Sequence, residues 1–320
     1  MVRSAVGAHF RVELKATAQN GAFVFLSDSI QMLPSSRATD LLISARAALL
    51  GGQATLPHYR SASLQTSEKS PGDPVTEADH AANGAVLSVL GQECPGDPIL
   101  SEESPPPAAA STAGRLWVVD PLDGTREFID GIDEFAVMVG LAEEGLAVLG
   151  AFYVPGTGLL YLGVAEEGAW IADCEVSAKP GSQIRVGEFR PLRVGEPEGD
   201  GVRLVRSRSH PDDRLQRIES ALPSVEVIPS GSVGVKCARI AERAADLYVH
   251  PVPYLKEWDT CAPEAVLRGA GGRVTDCGGG VLRYGKSDPC QPSGILAGDP
   301  TSWAAALPLV REMSAPILRT

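Results

Sequence analysis

Trp117-Val118-Val119-Asp120-Pro121-Leu122-Asp123-Gly124-Thr125 is the stretch whose reading decides the fold of this chain. Leu116 to Val119 are apolar and predict a short strand that delivers both carboxylates at its carboxyl end, with Gly124 letting the backbone turn into a helix. Carboxylate oxygens suit hard cations such as Mg²⁺, and N–H groups at a helix start suit a phosphate. The stretch therefore predicts a metal site beside an anion site.

Outward from it, helical and extended patterns alternate. Ala38 to Leu50 has helical spacing and is expected to stop at Gly51-Gly52; polar Ser61 to Gly72 reads as an exposed loop; a second helix runs from Glu77 or Asp79 to about Leu90. Ile99-Leu100 is a short strand before Ser101-Glu102-Glu103-Ser104 and the prolines at 105–107. Phe135 to Leu141, Leu146 to Tyr153 and Leu159 to Val164 predict consecutive antiparallel strands. Then come strands at Leu204–Ser207, Val225–Ile228 and Leu247–His250 and helices at Pro211–Leu222, Val233–Ala244 and Asp259–Gly269, the last with Pro263 in its first turn. The pattern is that of an α/β enzyme. Residues 1–34 read as an N-terminal extension, with Met32 as an alternative start; two subdomains, 35–200 and 201–320, are expected to share one cleft.

Composition narrows the function. A chain of 320 residues with 44% apolar side chains buries a large core, and a formal charge of -12 argues against a nucleic-acid partner. An acidic cleft still takes a phosphorylated small molecule when bound cations invert its sign. The six cysteines lie far apart with no C-x-x-C pair and no secretory leader is recognised, so reduced thiols and a cytoplasmic location are expected. No two histidines fall at i, i+4, which leaves zinc without a ligand set, and no run approaches the ~20 apolar residues of a membrane span. Oligomeric state is left open.

Four acidic segments recur at strand ends or helix starts: Asp73 to Asp79, Ser101 to Ser104, Asp120 to Thr125, and Glu257-Trp258-Asp259-Thr260. Gathering these acids in one cleft costs repulsion that bound cations offset, and two cations ~4 Å apart are the usual device for in-line displacement at phosphorus. In kind and order the four segments resemble those of the inositol monophosphatase superfamily, the lithium-sensitive Mg²⁺-dependent phosphatases, from about Ala38 to the C-terminus. The resemblance implies a layered αβαβα sandwich of the sugar-phosphatase type (α/β, or α+β) and two Mg²⁺, with room for a third. It implies Glu102, Asp120 and the Leu122 carbonyl on one metal, Asp120, Asp123 and Asp259 on another, and Glu103 reaching a third through water. Thr125 with Asp79 would orient and deprotonate the attacking water, and the N–H groups of Gly124 and Thr125 would hold the phosphate. Asp73 and Glu77 read equally well as turn and cap residues.

Thr125 to Ile129, Arg206 to His210 and Gly231 to Lys236 further resemble the branch that removes the 3'-phosphate of 3'-phosphoadenosine 5'-phosphate. Arg206, Arg208, His210 and Lys236 would then contact a second phosphate, with Ser209 and His210 near the nucleoside and Lys236 near the 5'-phosphate. Some relatives carry two adjacent serines where this chain has Val233-Gly234, so a backbone N–H is expected to replace a hydroxyl there. Inositol 1-phosphate and fructose 1,6-bisphosphate are the alternative substrates, and a non-catalytic phosphate-binding protein the remote one. Gly280 to Ser287 matches a phosphate-loop pattern, but the prolines at 289 and 292 disfavour the helix it needs, and Val281 to Tyr284 are expected as a strand. Ser230 to Gly234 nearly spells a nucleophile elbow without an identifiable histidine partner.

Overall fold

Helices and strands follow one another from the start of the described chain. The computed structural model describes residues 24–25, 37–107, 113–196, 201–208, 212–222 and 224–314. In order these form β1 (Val24–Phe25), α1 (Ala38–Thr55), β2 (Thr66–Ser70), β3 (Asp73–Thr76), α2 (Glu77–Glu93), β4 (Ile99–Ser101), β5 (Arg115–Asp123) and α3 (Thr125–Ile129). Six strands follow: β6 (Ala136–Glu143), β7 (Leu146–Val154), β8 (Leu159–Val164), β9 (Gly168–Glu175), β10 (Ile184–Val186) and β11 (Arg190–Leu192). The remainder is β12 (Val202–Ser207), α4 (Asp213–Ala221), β13 (Val225–Ser230), α5 (Val233–Ala241), β14 (Leu247–His250), α6 (Glu257–Gly269), β15 (Arg273–Thr275), β16 (Ile295–Gly298) and α7 (Pro300–Met313).

Alternation along each strand sorts these elements into five layers. In β5, Trp117 and Val119 join the apolar cluster that contains Leu41, Leu49, Val86 and Leu90 of α1 and α2, whereas Leu116 and Val118 join the one that contains Cys237, Ile240, Cys261 and Val266 of α5 and α6. The nine-stranded sheet, in order β1-β10-β9-β8-β7-β6-β5-β4 with β11 on β9, is thus covered on both faces. Beyond α5 and α6 lies a five-stranded sheet, β13-β12-β14-β16-β15, and α4 and α7 close its outer face through Leu215, Ile218, Ala306 and Val310. The result is the expected αβαβα sandwich. Among the described residues no helix is long and apolar enough to cross a membrane.

A row of glycines sets how close α6 comes. Gly140, Gly150 and Gly163 pair across β6, β7 and β8, and a Cβ on any of them would lie 2.4 to 2.9 Å from the backbone of Ala262 or Val266. The bare strands form a trough into which the helix backbone sinks, carrying Asp259 at its first turn toward β5.

Several local expectations change. Gly51 and Gly52 do not end α1, because they serve contact rather than termination: a Cβ on Gly52 would stand 2.3 Å from the Tyr153 ring. Part of the expected loop at 61–72 is the exposed strand β2, paired with β3, whose alternation is hidden because neither face is buried. Helix α2 continues past Gly91 to Glu93, and α6 opens at Glu257, which puts Pro263 inside the helix instead of in its first turn. Val281 to Tyr284 are not a strand; the Tyr284 ring is buried and its hydroxyl donates to Glu264 Oε2 at 2.5 Å. No helix starts at Lys286, whose ammonium donates to the Cys290 carbonyl and Gln291, so the phosphate-loop match is accidental.

Candidate active site

The site begins with an irregularity in β5. Asp120 pairs with Met138 and Asp123 with Ala136, so three steps along β5 answer two along β6. In a regular strand residues three apart point to opposite faces. The extra residue of this bulge restores both aspartates to the face that carries Ala136 and Met138, toward α6. The strand therefore does not end at Val119 as expected; it continues through the motif and is bent by it.

Each acid is anchored by donors, two of them local and two from distant segments. The Leu122 N–H donates to Asp120 Oδ1 at 3.0 Å; Ser232 Oγ and the Gly234 N–H donate to Asp123 Oδ2 at 2.5 and 2.9 Å; the Lys256 N–H donates to Asp259 Oδ2 at 2.6 Å. Lys69, from the exposed hairpin, donates to Glu102 at 2.7 Å and also meets Glu103. Burial raises the Asp120 carboxyl well above the usual range, and the charges of Glu102, Asp123 and Asp259 push it further. Burial does the same to Asp259, with Asp123 and Glu102 adding to it, and lifts Glu102 to about 7 against the pull of Lys69. Four carboxylates from three segments thus act on one another in one place. Among the described residues no three His, Cys, Asp or Glu side chains are already closed round a single point. The donor set is nevertheless all oxygen, buried and mutually repelling, and that chemistry fits hard divalent cations.

Beside the acids stands the expected hydroxyl pair. Thr125 opens the five-residue α3 after Gly124, whose φ is +94°, and its Oγ donates within 3.2 Å of both Asp79 Oδ1 and the Leu122 carbonyl. Asp79 is held from behind, since Oδ2 accepts from the Thr76 N–H at 2.8 Å and the Thr76 hydroxyl at 2.7 Å in a capping box that opens α2. Burial raises its carboxyl above the usual range.

These groups face a cleft of ≈ 510 Å³. Lys69 and Pro71 to Pro74 of the β2–β3 hairpin, Glu102, Asp120 and Leu122 to Glu127, Gly231 to Val233, Lys236, Tyr248, His250, Tyr254 to Lys256, Trp258 and Asp259 line it. Of the acids expected there, Asp73 lines the cleft, whereas Glu103 stands behind Lys69 and Glu77 meets His58.

The expected second-phosphate contacts fare differently. Ser207 lines the cleft, so its neighbour Arg206 projects from the other face of β12 and pairs with Glu219 of α4 at 3.2 Å. Arg208 pairs with Glu134 at 2.7 Å. Lys236 is buried at the cleft wall: its ammonium donates to the Ser232 carbonyl at 2.9 Å, lies 5.4 Å from the centre of the Tyr248 ring, and faces the charge of Asp123. The Gly234 N–H, expected for a phosphate, is given to Asp123. Ser209 and His210 lie outside the described residues. Sequence reasoning missed Lys69, Glu134 and Tyr254, which sit in segments without periodicity; Ser232 could have been found as the N-cap of α5, where it accepts from the Val235 N–H at 3.1 Å.

Residues 38–314 match the model of the inositol monophosphatase family. The chain belongs to that family. Its curated family relatives include a protein of Salmonella typhimurium named 3'(2'),5'-bisphosphate nucleotidase CysQ, 37% identical over 235 residues, which are 73% of this chain and 89% of the relative. A Mycobacterium leprae relative named 3'-phosphoadenosine 5'-phosphate phosphatase is 34% identical over 68% of this chain and 75% of its own. Among solved structures, CysQ from Bacteroides thetaiotaomicron superposes with a TM-score of 0.68 at 30% identity, covering 81% of this chain and 97% of that one. The family membership agrees with the layered sandwich, and all six cysteines are free thiols.

Proposed function

We propose that this family member is a Mg²⁺-dependent phosphomonoesterase that hydrolyses the 3'-phosphate of 3'-phosphoadenosine 5'-phosphate to give AMP and phosphate. The observation that carries the reaction type is the meeting of Glu102, Asp120, Asp123 and Asp259 beside the Thr125–Asp79 pair. The substrate rests on the chain's 37% identity to a relative named as a bisphosphate nucleotidase over 89% of that relative's length. An exposed aromatic at the cleft supports it: Tyr254, 72% exposed, offers a ring face for a base in a cleft that Trp258 also lines.

In this reading Glu102, Asp120, Asp123, Asp259 and the Leu122 carbonyl hold two cations, and Glu103 reaches a third. Bound Mg²⁺ supplies charge neutralisation at the phosphoryl oxygens and a lowered pKa for water. Thr125 Oγ would take one proton from the attacking water as it passes its own proton to Asp79 Oδ1, leaving hydroxide as the nucleophile and a protonated Asp79 whose other oxygen is already committed to Thr76. Gly124 and Thr125 N–H groups steady the phosphate, and residues 35–200 and 201–320 contribute the two walls. The enzyme works in the cytoplasm. Phosphate release by the purified chain from 3'-phosphoadenosine 5'-phosphate, its sulfated precursor, inositol 1-phosphate and fructose 1,6-bisphosphate, with and without Mg²⁺ and Li⁺, tests this. Preference for inositol 1-phosphate moves the assignment to an inositol monophosphatase.

A further inference from the structure

Glu134 lies between α3 and β6, outside every acidic segment singled out above, with its side chain 16% exposed. Its Oε2 accepts from the Gly231 N–H at 2.7 Å and from Arg208 Nη2 at 2.7 Å; its Oε1 accepts from Arg239 Nη2 at 2.8 Å. Its backbone carbonyl occupies the space that side chains would need at Gly124 and Gly231, 2.9 and 2.7 Å from where their Cβ atoms would be. One residue therefore ties the loop after β13 to the loop that follows the Asp120–Thr125 motif. Immediately beyond Gly231, Ser232 adopts φ +47°, a conformation that L residues rarely hold unless their surroundings fix it. In that conformation Ser232 Oγ reaches Asp123 Oδ2 at 2.5 Å, and the Gly234 N–H donates to the same oxygen at 2.9 Å. Both donors engage Oδ2, which leaves Oδ1 as the oxygen to offer a cation.

We propose that Glu134 is a positioning residue for the cation site, fixing Gly231 so that Ser232 orients the Asp123 carboxylate. The inference rests on the reading of Asp123 as a cation ligand. Arg208 holds Oε2, the same oxygen that meets the Gly231 N–H, whereas Arg239 pairs with Oε1; the Oε2–Gly231 contact transmits the position. Partners one step behind a metal ligand change metal affinity by about 10- to 100-fold when altered.

The test is Mg²⁺ binding by calorimetry on the full chain, with the cation-free melting temperature recorded for every variant. Glu134→Gln should weaken Mg²⁺ by about 10-fold and Ser232→Ala by at least as much. Because both act along one path, the double variant should bind no more weakly than Ser232→Ala alone. Arg239→Met removes an ion pair but not the Gly231 contact, so it should lower the melting temperature while leaving Mg²⁺ affinity within about twofold. Wild-type affinity in Glu134→Gln, equal weakening in Arg239→Met, or additive losses in the double variant overturns the proposal. Wild-type affinity in Asp123→Asn instead refutes the ligand reading on which it stands.

Discussion

Replacing Thr125 by alanine should separate the chemistry from the binding of cations. The hydroxyl sits 3.2 Å from Asp79 Oδ1 and 3.2 Å from the Leu122 carbonyl, and none of the proposed carboxylate ligands depends on it. One of the two bonds ends on the Asp79 carboxylate, so their loss costs about 1.5–3 kcal/mol, which in a chain of this length lowers the melting temperature by only a few degrees. The loss of a group that orients and deprotonates water costs about 10²–10⁴ in rate, equivalent to roughly 3–5 kcal/mol of transition-state stabilisation. Turnover should therefore collapse while the melting temperature moves little. Steady-state kcat on 3'-phosphoadenosine 5'-phosphate at saturating Mg²⁺, Mg²⁺ affinity by calorimetry, and thermal melts measure the three quantities separately. Thr125→Ser keeps the hydroxyl and should retain most of the activity. A Mg²⁺ affinity that falls in step with kcat, or a serine variant as inactive as the alanine, would refute the reasoning by making Thr125 a support for the metal site.

Asp120→Asn should abolish turnover yet raise the cation-free melting temperature, because burial and the charges of Glu102, Asp123 and Asp259 all penalise the ionised acid; a lower melting temperature would show that the cluster is not under repulsion. Lys236→Met should lower turnover of 3'-phosphoadenosine 5'-phosphate and of 3'-AMP alike, since the ammonium is committed to the Ser232 carbonyl and the charge of Asp123; a loss confined to the bisphosphate would restore a role at the second phosphate. Tyr254→Ala should raise KM for the nucleotide by roughly 5- to 150-fold, the equivalent of about 1–3 kcal/mol of base stacking, and spare inositol 1-phosphate; equal effects on both remove the stacking role. Glu134 gives a pH signature: burial would raise its carboxyl, but Arg208, the Gly231 N–H and Arg239 outweigh burial and hold it below the ordinary 4.5. A depressed folded-state pKa gives stability that is present above the unfolded value and lost as pH falls through the folded one, so melts from pH 7 to 3 should show a shallower acid limb in Glu134→Gln, and an unchanged limb would deny the clamp its charge.

What could be read in the sequence was whatever repeats at a fixed period or sits at a defined terminus. The antiparallel run β6 to β8 is signalled by apolar stretches broken by glycine and proline, and it forms where expected. The layered sandwich and the family follow from four ordered acidic segments. Interior glycines mislead, because the residue that ends a helix also lets a helix lie against a sheet: Gly51-Gly52 reads as a stop, yet both glycines face β-strand side chains across the layer boundary. The trough formed by Gly140, Gly150 and Gly163 is equally hidden, since three glycines on three strands become a row only once register is known.

The site divides along the same line. Asp120, Asp123, Thr125 and Asp79 are local signals in acidic segments, and the fold brings the first three to one cleft wall with Asp79 behind Thr125. Their supports are not local: Lys69 reaches Glu102 across 33 residues, Ser232 reaches Asp123 across 109, and Arg239 reaches Glu134 across 105. Arg206 shows the opposite failure. A cation in the right segment was one residue out of phase, and strand alternation sends it to Glu219 instead of the cleft.

The anchoring of the acids explains why their repulsion persists. A surface carboxylate facing another would rotate away into water. Here Leu122, Ser232 with Gly234, Lys256 and Lys69 each grip one oxygen of Asp120, Asp123, Asp259 and Glu102, so rotation would sacrifice hydrogen bonds in a buried place. The packing of α6 into the glycine trough and of α1 and α2 onto the opposite face supplies the stability that holds this arrangement. If the proposed cation reading holds, such a site is pre-organised because it is unfavourable when empty, and substitutions that relieve the repulsion should stabilise the chain to the extent that they disable it.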